Sequence, residues 1–512
     1  MLSFRKHIHA LLVVALATGL LFSCKKDSSS DGNGNGNGNG NGNGNGTPLT
    51  EEQKSQDTLW HIFKDTYLWT ADVPDSATVK PLSYSSFGDL FNKLITYKKK
   101  ANGANFDHYS FLDNGTVTGE IGAGRLGDFG FDVNYWDIDS LYVLYCYPGS
   151  PAYAQGVRRG DLITAVNGST NISYDNPPYG NSANIRNLIN ALNAASSSFT
   201  FKKLDGTSKT LTITSAQYSL NPILKDSIYT INGRKIGYFA FNTFVELSVI
   251  QSKIDAVFDK FVAANITDLV VDFRYNGGGA VNTSEYLANL MAPVSVGTNA
   301  TIMNKTKVNN VISSNQMSRF SAIKKLRGSN NVQYSLQDIF YSYVQYSDTY
   351  FEKKKTLNLQ NISFITTRNT ASASELVIND LKPFFNARLT LVGDSTYGKP
   401  VGFIGIPMNK YYMYAISLQT LNSANQGDYF DGMAPTTPAY DVYRYDFGNT
   451  REHSIYYALR SIGVPAADIQ ANWARSAAPM PINLQRQMPK YAGKEMKNFK
   501  GSIYNAQDLL KQ

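Results

Sequence analysis

Apolar residues recur along this 512-residue chain with more than one rhythm. Leu59, Ile62, Phe63, Tyr67 and Leu68 fall at helical spacing behind Thr50-Glu-Glu-Gln, and Ser86–Ile95 repeats the pattern, so residues 50–118 predict a small helical module. Between 119 and 218 the pattern turns strand-like, with Gly130-Phe-Asp-Val, then Leu141-Tyr-Val-Leu-Tyr-Cys, then Leu162–Val166 closing at Asn167-Gly168. After Asn221 strands and helices alternate: Ile236–Phe241, a helix near Leu247–Ala264, the buried run Leu269-Val-Val-Asp-Phe, and a helix through Tyr286–Met291. That alternation predicts a crossover α/β core over 219–465. Residues 305–360 are polar, tyrosine-rich and partly helical, and are expected to be an insertion covering the core. A helix is expected near Glu452–Ile462, and the extension 466–512, with Pro479 and Pro481, has no clear period.

The first residues follow different rules. Residues 1–23 combine a basic start, Arg5 and Lys6, with an apolar run from Ala10 to Phe22 that is too short to span a bilayer, which reads as an export signal. Leu21-Phe22-Ser23-Cys24 resembles a bacterial lipobox, which implies cleavage before Cys24 and lipidation of its thiol. In residues 24–49 the Gly-Asn repeats from Gly32 to Gly46 carry no apolar residues to offset ordering entropy, and the stretch predicts a flexible tether. With Cys24 an anchor, Cys146 is left as a buried small residue and no disulfide framework is expected.

Composition narrows the function. At 42% hydrophobic and 17% charged residues the chain is globular, and too long for one core. Its formal charge of +8 is mild, and the short runs Lys98–Lys100 and Lys353–Lys355 read as solvated faces, so no nucleic-acid partner is expected.

Three stretches carry chemistry. Asp272-Phe-Arg-Tyr-Asn-Gly-Gly-Gly-Ala follows a buried strand and precedes a helix, where glycine lets the backbone approach a ligand; it lacks the Lys-Ser/Thr of a phosphate loop. Thr370-Ala-Ser-Ala-Ser-Glu follows the strand Ile362-Ser-Phe-Ile-Thr-Thr and opens an apolar helical pattern, so Ser372 sits where outward N–H groups suit a developing oxyanion. Gly393-Asp-Ser-Thr-Tyr-Gly-Lys ends at Lys399, a candidate base if an apolar pocket of Tyr397, Val401 and Phe403 keeps its amine neutral. His61, His108 and His453 lie away from these stretches, and no metal cluster or cofactor is expected.

Gly149-Ser-Pro-Ala-Tyr-Ala-Gln-Gly-Val-Arg-Arg-Gly-Asp-Leu-Ile-Thr-Ala-Val-Asn-Gly resembles the central motif of a PDZ domain, which would place a peptide-binding edge at Gly130, Phe131, Asp132 and Val133. The three chemical stretches, in order behind that motif, resemble the C-terminal processing (tail-specific) serine peptidases over about residues 50–465, including the closing Tyr429-Phe-Asp-Gly-Met-Ala-Pro. The resemblance implies a multidomain α+β protein: an N-terminal helical module, a PDZ-like β-rich domain and a crossover-type (ClpP/crotonase-like) α/β peptidase core. It implies Ser372 as nucleophile, Lys399 as base, the amides of Gly279 and Ala373 as oxyanion donors, and Gly278, Glu375 and Thr396 in support. The activity so implied is serine endopeptidase cleavage of proteins recognised by their C-terminal ends, through a Ser–Lys dyad and an acyl-enzyme. The setting is a lipoprotein of the cell envelope, at the outer membrane. Relatives often carry glutamine four residues after the lysine, where this chain has Phe403. Either another group orients Lys399, or activity is reduced and the chain is a PDZ-containing binding lipoprotein; an esterase using the same dyad stays open, as does the oligomeric state.

Overall fold

Thr50 starts the first helix by accepting the Gln53 amide, and Gln53 returns the bond to the Thr50 amide, so both orphan donors are satisfied before Glu51–Thr66 winds. That helix buries Leu59, Ile62 and Phe63 against Phe87, Leu90, Phe91 and Leu94 of the helix Phe87–Leu94. The computed structural model describes residues 48–113, 124–175, 180–317, 325–327, 333–345, 347–408, 410–471 and 501–504. The leader 1–23, Cys24, the tether to residue 47 and most of the extension 466–512 lie outside the described residues. The helical module is not self-contained: its apolar cluster continues into Val401, Phe403, Ile404, Ile416 and Leu418, and the Leu68 amide donates to the Ile416 carbonyl at 2.8 Å.

Next along the chain is a five-stranded antiparallel sheet in the order Phe131–Asp137, Ser140–Cys146, Leu162–Val166, Ser196–Lys202, Ser208–Thr214. Its core of Phe129, Val133, Tyr135, Val143, Ile163, Phe199 and Phe201 is covered by Ile185, Leu188 and Leu192 of the helix Ala183–Asn193. Cys146 is buried here, and burial pushes its thiol up to about 12.

The largest core surrounds a six-stranded sheet ordered Thr437–Pro438, Leu389–Gly393, Asn361–Thr366, Asp268–Asp272, Arg234–Phe241, Ile223–Ile231. All neighbours pair in parallel except the last. Helices cover both faces, which is why Leu269-Val-Val and Ile362-Ser-Phe read as unbroken buried runs. The whole is a multidomain α+β protein. A second sheet runs Gly278–Ala280, Gly501–Tyr504, Val401–Ile404, Ile416–Asn422, Thr298–Val308, Asp348–Glu352. The span 305–360 therefore departs from the expected covering insertion at both ends. Thr298–Val308 pairs with Ile416–Asn422 and with Asp348–Glu352 as integral strands, and Leu336, Ile339 and Phe340 enter the helical module's core. Half-buried polar positions on Thr298–Val308 hid the strand from its hydrophobic pattern.

Candidate active site

The glycine run is set by the groups before it. Asp268–Asp272 ends in a buried ion cluster in which Arg274 donates to Asp272 at 2.7 Å, Asp441 at 2.6 Å and Glu452 at 3.0 Å. The chain then turns over Asn276, whose Oδ1 accepts the Gly278 amide and whose Nδ2 donates to the Phe241 carbonyl, both at 2.9 Å. Gly279 adopts φ +134°, and a Cβ there would stand 2.0 Å from the Phe244 carbonyl oxygen. Only glycine fits this crossing.

Asn276 also ties this turn to the serine. Its carbonyl accepts the Ala371 amide and the Ser374 hydroxyl, both at 3.0 Å. The Ser374 hydroxyl is thus a cross-link between the two motifs. Ser372 caps the helix Ala373–Phe385 at φ +57°, ψ −110°, a conformation that costs a non-glycine residue about 1–3 kcal/mol. Its amide donates to Glu375 Oε2 at 2.8 Å, which holds the turn. Among the described residues the Ala373 amide, next in the chain, finds no acceptor.

Glu375 is fully buried and joins the third motif. Its Oε1 accepts the Thr396 hydroxyl and the Gly398 amide (2.7 Å), and its Oε2 accepts the Lys399 amide at 2.8 Å. Because the Ser372 and Lys399 amides share that oxygen, their nitrogens lie within twice 2.8 Å of each other. Burial pushes the Glu375 carboxyl up, and the four donors pull it back toward the carboxylate. Gly398, at φ +94°, passes so close to the Phe430 carbonyl that a Cβ would stand 2.4 Å from it. Thr396 in turn accepts the Met433 amide at 2.7 Å, which docks the Tyr429–Met433 segment on the lysine turn.

Lys399 is 1% exposed, and its amine lies 3.7 Å from the centre of the Phe403 ring and 5.7 Å from that of Tyr109. Burial holds this amine well below the usual lysine range, against the opposing pull of Asp107 and Glu375. Tyr109 and Asp107 come from the helical module. The Tyr109 hydroxyl donates to the Gly398 carbonyl at 2.6 Å, and Asp107 accepts the hydroxyls of Tyr67 and Ser110 at 2.8 and 2.6 Å. Sequence reasoning missed both, and the Asp107-His-Tyr-Ser stretch carries no motif that signals them. His108 also needs correction: though distant in sequence from the motifs, its ring lies tilted 3.9 Å from that of Tyr109 and stands 5.8 Å from the ring of Tyr397, because the module packs on the lysine turn.

Among the described residues the expected peptide edge is a sheet edge, since Phe131–Asp137 has a neighbour on one side only. Its residues divide between two faces. Phe131 and Val133 pack into the small sheet's core, the Gly130 carbonyl accepts the Tyr147 amide, and Asp132 turns the other way. Asp132 lines a cavity of about 300 Å³ with Asn134, Trp136, Tyr275 and Arg368. Beside it Arg159 donates to Tyr275 at 2.7 Å and to Asp441 at 2.6 Å, linking this domain to the residue three before Gly278.

The Peptidase family S41 model matches residues 235–439, the Peptidase S41 N-terminal domain residues 54–111 and the PDZ domain residues 142–175. A carboxyl-terminal-processing protease of Picosynechococcus is 26% identical over 285 residues, 54% of this chain and 55% of that protein, so the chain spans about half the length of the curated relative it matches. A crystal structure from Bacteroides fragilis assigned to the S41 proteases superposes with a TM-score of 0.52 at 22% identity, over 79% of this chain and 96% of that one, a likeness of fold. With an S41 N-terminal domain, a PDZ domain and the S41 region following one another along it, the chain belongs to peptidase family S41.

Proposed function

We propose that the protein is a serine endopeptidase acting through Ser372 and Lys399 on proteins presented by their C-terminal ends. The observation that carries this reading is the single Glu375 oxygen that holds the backbones of Ser372 and Lys399 together while the lysine amine is buried against Phe403. A neutral Lys399 takes the Ser372 hydroxyl proton as the serine oxygen attacks the peptide carbonyl. The Gly279 and Ala373 amides stabilise the oxyanion. The lysine ammonium then gives its proton to the leaving amine, and a water hydrolyses the acyl-serine with Lys399 again as base. Gly278, Glu375 and Thr396 act by holding these groups in place.

The PDZ edge at Gly130, Phe131 and Val133 adds the substrate's end as a strand, and Asp132 faces the cavity behind it. The leader and the lipobox-like Cys24 support lipid anchoring in the cell envelope, at the outer membrane, with the Gly-Asn tether as spacer. A second reading, a PDZ-bearing binding lipoprotein with weak or no hydrolysis, draws on the aromatic ring at Phe403 where a hydrogen-bonding side chain would orient the amine. A serine-directed covalent probe separates the two. Wild type and Ser374→Ala are expected to label and to cleave an unstructured protein, whereas Ser372→Ala and Lys399→Ala do neither while staying folded. Wild-type cleavage by either of the latter pair overturns the assignment. A substrate with a free apolar carboxylate is expected to be cleaved faster than its C-terminal amide, and equal rates would rule out selection of chain ends.

A further inference from the structure

The second sheet contains a strand from far along the chain. Gly501–Tyr504 lies between Gly278–Ala280 and Val401–Ile404, in parallel with both. Gly501 stands opposite Gly278, Ser502 opposite Gly279, and Ile503 opposite both Ala280 and Phe403. One flank of this slot is therefore the glycine strand beside the serine turn, and the other begins two residues after Lys399. Without an occupant, both flanks would present unpaired backbone donors and acceptors, the arrangement that captures an extended peptide by strand addition. An extended chain in the slot passes Gly279 on one side and Phe403 on the other, which is where a scissile carbonyl would meet the oxyanion donors.

We propose that residues 501–504 are an intrachain ligand of this slot, occupying the place of the substrate strand and competing with it. The inference rests on the peptidase reading for the identity of the competitor. Being tethered, the segment acts at an effective concentration on the order of millimolar, so a free substrate must displace it and the apparent KM is raised without change at the reacting groups.

The test has a binding arm and a kinetic arm. A fluorescent peptide of residues 499–506 is titrated by anisotropy against the full chain and against a chain ending at Lys500, each carrying Ser372→Ala. The truncated protein is expected to bind it saturably and at least about tenfold more tightly than the full chain. With Ser372 present, truncation is expected to lower KM about fivefold or more with kcat within twofold, and the added peptide to restore the higher KM competitively. Equal binding to both chains, or none to the truncated one, overturns the proposal whatever the peptidase assays give. Absent hydrolysis by every form with the binding difference intact counts against the peptidase reading and not against the occupied slot. If truncation prevents folding, the full chain with Ser502→Pro and Ile503→Pro replaces it, since proline cannot donate to the flanking strands; the same difference is expected, and a full chain indistinguishable from wild type in both arms overturns the proposal.

Discussion

Replacing Glu375 by glutamine changes one atom and tests whether a single carboxylate organises the site. Four donors converge on it, two on each oxygen: the Thr396 hydroxyl and Gly398 amide on Oε1, the Ser372 and Lys399 amides on Oε2. Glutamine keeps one acceptor oxygen and must turn an NH2 toward one of these pairs. Facing Ser372 and Lys399 it would orphan two buried N–H groups, at about 1–3 kcal/mol each. Facing Thr396 and Gly398 it orphans one, because a hydroxyl can rotate and accept while the Gly398 amide cannot. The second orientation therefore wins. Its cost is one orphaned donor plus the weakening of two charge-assisted bonds, about 2–4 kcal/mol together, partly offset by no longer burying a charge. Glu375→Ala orphans all four donors and releases the Ser372 turn from its unfavourable φ, so it is expected to lose more than about 5 kcal/mol. Urea unfolding at constant m gives the stabilities, and the rate of labelling by a serine-directed probe reads the geometry. Glu375→Gln is expected to label about 10–100-fold more slowly than wild type. A Glu375→Gln protein within about 0.5 kcal/mol of wild type with an unchanged labelling rate would refute the view that this carboxylate sets the geometry.

Other outcomes follow from the lysine and the anchor. Phe403→Gln removes a ring face that favours the ammonium by about 2 kcal/mol but supplies an amide oxygen and admits water, so the single-turnover acylation profile is expected to move up by about one pH unit; an unchanged or lower midpoint shows that Phe403 does not set the protonation. Because burial lowers the Lys399 pKa, the folded state holds fewer protons than the unfolded one between the lowered value and 10.5, and stability rises with pH across that window by up to about 1.4 kcal/mol per unit. Lys399→Met is expected to abolish that slope and to be more stable than wild type at pH 7, and parallel Tm–pH curves for the two would count against a buried neutral amine. Cys24→Ala is expected to leave the protein soluble after detergent-free lysis, and its retention in the membrane pellet would rule out lipidation as the anchor.

Contiguous sequence carried much of the fold and part of the site. Buried parallel strands such as Leu269-Val-Val announce themselves because both faces are covered, and Ser372, Glu375 and Thr396–Lys399 lie in short motifs whose spacing survives in the folded arrangement. Groups that converge from far away were not legible. Tyr109 and Asp107 sit in a stretch that looks like the end of a helical module, and only its packing on Val401–Ile404 brings them to the lysine. Asp132 was read with its neighbours as one edge, although strand alternation turns its side chain to the opposite face. The strand Gly501–Tyr504 has too little apolar content to stand out, because its partners supply the order. Phe403 was legible as a wall of the lysine pocket, but not the direct ring-face contact with the amine.

The hydrogen bond from Tyr109 to the Gly398 carbonyl joins positions 289 residues apart in sequence. Translated into time, that separation orders events during synthesis. At about 5–20 residues per second, the first part of the chain exists for roughly 15–60 seconds before the lysine turn is made, and loop closure over so long a segment is slow. The apolar setting of the Lys399 amine cannot form until Phe403 has been added to the chain. A nascent chain that ends before Phe403 thus carries Tyr109 and Asp107 without the lysine turn they pack against, and the burial of the amine begins only after that point.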